Sequence, residues 1–165
     1  MRLSDLEKTR FFANPIADAE LSPDGRSVAF VDGFYNARFV QVVPLRGGPS
    51  RVLAAFPPGN GQQRPVALAW APDSGEVAIN TESNAGACDG CEVLYTVNAD
   101  GSGLKAVTSD GVGRPFYSPD GKELAYCSFG YGGPYFEFFM QQQALVHHGE
   151  HYLGPTCGES WQARP

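Results

Sequence analysis

"LSPDGRSVAF", Leu21–Phe30, is the stretch on which the reading of this chain turns. Pro23 presets φ for the second position of a type I turn, Asp24 bonds locally at the third, and Gly25 accepts the fourth. The next residues, "SVAFV", are apolar on both faces. A strand of that kind has to be covered on both sides.

The stretch recurs. "WAPDSGEVAI" covers Trp70–Ile79 and "YSPDGKELAY" covers Tyr117–Tyr126. The turn prolines are Pro23, Pro72 and Pro119, 49 and 47 residues apart. Two residues before each stands Leu21, Trp70 or Tyr117. Five, six and seven residues after it come Val28, Ala29 and Phe30; Val77, Ala78 and Ile79; and Leu124, Ala125 and Tyr126. Matching residue classes in register at three sites mark an internal repeat.

A second hairpin completes each unit. In "EVLYTVNADGSGLKAVTS", Glu92–Ser109, the first arm alternates, Asn98–Gly103 turns and Leu104–Thr108 returns. Arg38–Leu53 is the counterpart in the first unit. In the third, "FGYGGPYFEFFMQQQ" supplies a third strand, with no fourth-strand pattern after it. Four short strands in a period of about 45–50 residues are the signature of propeller blades. The small Ala at the shared position suits face-to-face stacking.

The expected fold is therefore all-β. It is an incomplete β-propeller of about three four-stranded antiparallel blades, at 16–55, 65–109 and 113–141. A short helix and lead-in precede them at 1–15, and an irregular tail closes the chain at 142–165. Ser4 and Glu7 form a capping box for that helix, and Leu3, Leu6 and Arg10 share one of its faces. Composition agrees: 165 residues suit one domain, and 20 glycines with 13 prolines exceed the average usage of about 12%.

The repeats resemble the WD40-like (PD40) repeats of the TolB-type β-propeller, whose marks are SPDG-x-x-x-A-[FY] and N-A-D-G-S-G. The likeness runs from Ala17 to Ser128. "RFFANPIADAELSPDGRSVAF", Arg10–Phe30, resembles the lead-in to the first blade of S9 (prolyl oligopeptidase-type) serine peptidases. In that family the propeller covers the active site and filters substrates by size, and an α/β-hydrolase domain carries a G-x-S-x-G nucleophile elbow. This chain has no G-x-S-x-G. "GESWQ", Gly158–Gln162, has Gln in place of the final Gly and no apolar strand before it. The resemblance thus implies a truncated, non-catalytic propeller segment lacking its hydrolase domain. The alternative is a TolB-like module that binds a protein partner.

Other chemistry is sparse. Cys88-Asp-Gly-Cys91 is a single CxxC on a loop, where a disulfide or two free thiols fit better than zinc. His147 and His151, near His148, Glu150 and Cys157, could complete a Cys₂His₂ sphere with Cys88 and Cys91. The expectation is nevertheless that no metal and no cofactor bind. Asn98–Gly103 is read as a turn and not a calcium loop, because Ser109 stands where a twelfth-position Glu would be needed. Cys127 is read as a small buried hydrophobe, and Trp70 and Tyr117 as blade packing. A net charge of -6 without a basic cluster argues against nucleic acid. No apolar run approaches the ~18 residues of a membrane span. The charged N-terminus lacks a leader's apolar stretch, so the cytoplasm is expected, or the periplasm or exterior if a leader was removed. Two blade faces without a neighbour imply self-association, or a missing hydrolase domain or other chain as partner.

Overall fold

The computed structural model describes residues 16–33, 38–56, 63–83, 93–108, 114–130 and 133–140. They form eleven strands in three antiparallel sheets, with no helix among the described residues. Blade 1 is β1 (Ile16–Leu21), β2 (Ser27–Asp32), β3 (Phe39–Pro44) and β4 (Arg51–Ala55), paired in chain order. Blade 2 repeats the arrangement with β5 (Gln63–Trp70), β6 (Glu76–Ser83), β7 (Val93–Asn98) and β8 (Lys105–Thr108). Blade 3 shows β9 (Phe116–Tyr117), β10 (Glu123–Gly130) and β11 (Gly133–Met140). The expected helix and lead-in at 1–15 and the tail at 142–165 lie outside the described residues.

The repeat extends to its irregularities. The first strand of blade 1 shifts register between Ile16 and Ala19, and that of blade 2 between Pro65 and Ala67. The third and fourth strands shift at Val40/Gln41 and again at Leu94/Tyr95, which are corresponding positions. Bulges increase local twist, so both blades are bent at the same places.

Each tight turn is held by its own side chains. The Gly25 N–H donates to the Ser22 carbonyl at 2.8 Å, closing the turn. The Ser22 hydroxyl donates to the Asp24 carboxylate at 2.6 Å and accepts from the Ser27 N–H at 2.9 Å. The Asp24 carboxylate also accepts from the Arg26 N–H at 3.0 Å. Ser118, Asp120, Lys122 and Glu123 reproduce this network in blade 3. Blade 2 has Ala71 in place of the serine, and Ser74 where the others have glycine. Ser74 adopts φ 62°, a left-handed conformation that L-residues other than Gly, Asn and Asp seldom visit. Its hydroxyl accepts the Asp24 N–H of blade 1 at 3.1 Å, tying two turns together.

These turn carboxylates predict an acid response. The Ser22 hydroxyl, then the Arg26 N–H, hold Asp24 below the ordinary carboxylate range; Ser102 does the same for Asp100, and Ser118 and Lys122 for Asp120. A group whose folded pKa is lowered adds stability above its unfolded value, about 3.9 for Asp, and that stability is lost as pH falls through the folded value. The melting temperature is therefore expected to fall as pH drops below about 4. A protein with Asp24→Asn, Asp100→Asn and Asp120→Asn should show a flatter acid limb. Parallel pH profiles for the two proteins would refute the assignment.

The core lies in the seams between sheets. Ala29, Val31, Val40, Val42, Leu53 and Phe56 of blade 1 pack against Leu68, Trp70, Val77, Ile79 and Val97 of blade 2. Phe56 and Tyr95 meet edge to face across it, with centroids 5.3 Å apart. Ala69, Ala71, Ala78 and Leu94 of blade 2 pack against Tyr117, Leu124 and Tyr126 of blade 3. Alternation along the second strand of each blade thus has a direction. Ala29 and Ala78 look to the following blade, while Val77 and Ile79, like Leu124 and Tyr126, look to the preceding one. The expectation that this strand is covered on both faces holds: Ala29, Phe30 and Val31 are all buried.

Candidate functional site

Strand direction sorts the loops by end. The Pro-Asp-Gly turns and the β3–β4 and β7–β8 turns gather at one end of the blades. The last residues of β2, β4 and β6 and the first residues of β3, β5 and β7 lie at the other. Cys88 and Cys91 fall in the β6–β7 connection. They lie outside the described residues, as do His147, His148, Glu150, His151, Cys157 and the GESWQ segment. Cys127 falls in β10, opposite Phe136, but its surroundings are not among those described. Among the described residues no group of three His, Cys, Asp or Glu side chains is arranged to hold a metal.

Two sequence readings are settled by geometry. Asn98–Gly103 is a hairpin turn: the Gly101 N–H donates to the Asn98 carbonyl at 2.8 Å and the Ser102 N–H to the Asp100 carboxylate at 2.8 Å. Gly101, at φ +87°, lies against blade 1, where a Cβ would sit 3.3 Å from the Val52 carbonyl oxygen. Trp70 and Tyr117 are seam residues, as their repeat position suggested. The Trp70 indole N–H donates to the Glu20 carbonyl of blade 1 at 3.0 Å. The Tyr117 hydroxyl donates to the Glu76 carboxylate of blade 2 at 2.8 Å.

Among the described residues, one polar cluster ties β1 to β5 and to Arg114 ahead of β9, and sequence reading missed it. Asp18 and Glu20 stand two apart on β1. The Asp18 carboxylate accepts the Leu68 N–H of blade 2 at 2.8 Å. Arg114, just before β9, donates to Asp18 at 3.4 Å and also to Glu20. Asp18 is the most enclosed of the three charged groups, and Arg114 is half exposed. The alternation in "IADAEL" was the available signal, since it puts two carboxylates on one side of a first strand. Here the opposite charges satisfy one another, so the cluster positions blades. It contains no nucleophile.

No protein-family model matches the chain. Solved structures do resemble it. TolB from Acinetobacter baumannii superposes with a TM-score of 0.60 at 23% identity, over 78% of this chain and 30% of that one. Puromycin hydrolase gives a TM-score of 0.61 at 18% identity, over 88% of this chain and 25% of that one. The tricorn protease gives 0.60 at 14% identity, over 78% and 14%. The chain therefore spans a third or less of each of these proteins. At such identities the likeness speaks to architecture, and with the seams described above it shows that the chain is a run of consecutive blades of the β-propeller type shared by TolB and the S9 peptidases.

Proposed function

We propose that the chain is a non-catalytic propeller segment of an S9-type serine peptidase, the part that gates substrate access to a hydrolase domain lying outside these 165 residues. The observation that carries this reading is the superposition on puromycin hydrolase, which takes in 88% of this chain and only a quarter of the hydrolase. The Arg10–Phe30 lead-in supports it. The polar cluster at Asp18, Glu20 and Arg114 fits a scaffolding role, because each charge is already engaged.

The purified chain is expected to hydrolyse neither chromogenic peptides nor esters. Turnover that disappears on Ser160→Ala substitution would overturn the reading. A second reading, a module that presents loops to a protein partner, is favoured by the likeness to TolB at 23% identity. Sequencing the DNA downstream of the coding region separates the two. A G-x-S-x-G hydrolase domain in any frame supports the peptidase reading, and its absence supports the binding module.

A further inference from the structure

We propose that the serine hydroxyls of the tight turns guard their Asp-Gly bonds against isoaspartate formation, and that Asp24–Gly25 and Asp120–Gly121 become modification sites once that hydroxyl is removed. Asp-Gly offers this reaction the least steric resistance, because glycine carries no side chain. The glycine nitrogen attacks the aspartate Cγ and an N–Cγ bond forms. One carboxyl oxygen leaves as water, taking the amide proton and the carboxyl proton. The succinimide then takes up one water. Cleavage between the glycine nitrogen and the aspartate α-carbonyl carbon leaves the chain running through Cγ. The water lost is regained, so the mass is unchanged.

Four Asp-Gly pairs lie among the described residues, and three stand in tight turns where Asp24, Asp100 and Asp120 are exposed to water. In these three, both reacting groups are held by other bonds. The Gly25, Gly101 and Gly121 N–H groups donate to the Ser22, Asn98 and Ser118 carbonyls at 2.8, 2.8 and 2.9 Å. Each carboxylate accepts a serine hydroxyl, from Ser22 to Asp24 at 2.6 Å, from Ser102 to Asp100 at 2.6 Å and from Ser118 to Asp120 at 2.7 Å. Each also accepts the N–H of the residue two further on. To react, the glycine must give up its turn bond, and the carboxylate must leave its donors and take a proton. The same serines, then the backbone N–H groups, hold these carboxyls below the ordinary range and so keep them in the unreactive, charged form. The fourth pair, Asp32–Gly33, has another environment: the Gln41 amide donates to the Asp32 carboxylate at 3.0 Å, and Gly33 is buried.

Blade 2 supplies the contrast. Its turn has Ala71 at the serine position, and the residue after the aspartate is Ser74 instead of glycine. Ser74 takes that place at φ 62°, a conformation that glycine adopts without steric cost. Where the guarding hydroxyl is missing, the labile glycine is missing with it, although the backbone favours one. The inference rests on the turns and not on the peptidase reading, so either can fail without the other.

The test is peptide mapping of the folded 165-residue chain after weeks at body temperature and neutral pH. Trypsin releases Asp24 in Phe11–Arg26 and Asp120 in Ala106–Lys122, and fragmentation that cleaves the N–Cα bond locates isoaspartate in each. Ser22→Ala is expected to raise isoaspartate at Asp24 by about tenfold, the scale of one hydrogen bond to a charged group, and to leave Asp120 unchanged. Ser118→Ala should do the reverse. Ala71 shows that such a turn forms with alanine in that place. No rise at the bond beside the altered serine would overturn the proposal. So would an equal rise at both bonds, since general loosening of the fold would then be the cause. Should Ser22→Ala also melt lower than the wild type, Trp70→Phe is the control for lost stability: a matching rise at Asp24 in that protein rejects the role of the hydroxyl, and an unchanged Asp24 supports it.

Discussion

Replacing Trp70 by alanine is expected to destabilise the chain by about 3–5 kcal/mol, the range for truncating a large buried aromatic. For a domain of this size, that corresponds to a fall in melting temperature on the order of 10 °C. Two losses combine. The indole fills the seam between blades 1 and 2 beside Leu68 and Val77. Its N–H is also the donor to the Glu20 carbonyl. Trp70→Phe separates them by keeping an aromatic ring and removing the donor, and should cost about 1–3 kcal/mol, the range for leaving a buried acceptor unpaired. Thermal melts monitored by circular dichroism give both numbers. A Trp70→Ala protein as stable as the wild type would remove Trp70 from the seam.

Tyr126→Ala should produce a loss of the same order, about 3–5 kcal/mol, in the other seam. Tyr126 is completely buried and packs with Tyr117 and Leu124 against Ala78 and Leu94. The facing residue matters: Ala78 leaves the space that the ring occupies, so truncation opens a cavity between two sheets, and separate sheets collapse less readily than one. Urea unfolding with an unchanged slope would show lost packing; a smaller slope would show a change in how much surface unfolding exposes. An unchanged midpoint would break the assignment of blade 3 to this stack.

Much of this architecture is legible in residue order. The Pro-Asp-Gly turns state where the chain reverses. The apolar run after each says that the strand is covered twice, and the Ala at the shared position says that the cover comes close. The strand from "GPYFEFFM" was likewise visible. Alignment did not reveal exposure. Leu21, Trp70 and Tyr117 are equivalent by position, yet the first is exposed, while the others are enclosed where they bond to the preceding blade. The Ser22 and Ser118 hydroxyls belong to the SPDG motif, but proline and aspartate alone account for the turn, so the serine network carried no separate signal. The Asp18–Glu20–Arg114 cluster was hidden by distance along the chain, as its members meet only after three sheets have stacked. The cysteine and histidine candidates carry no local geometry in their spacing, and they fall outside the described residues.

That cluster also sets an order on biosynthesis. A nascent chain folds from its N-terminus as it leaves the ribosome. Every residue of the first seam precedes Tyr117, so blades 1 and 2 can bury their shared surface while blade 3 is still being translated. Asp18 then already holds the Leu68 amide, but its second ligand and that of Glu20 arrive only with Arg114, 94 to 96 residues downstream. The guanidinium works as a late fastener: it locks onto a pair of blades that have already zipped, and it does so as the first strand of blade 3 emerges.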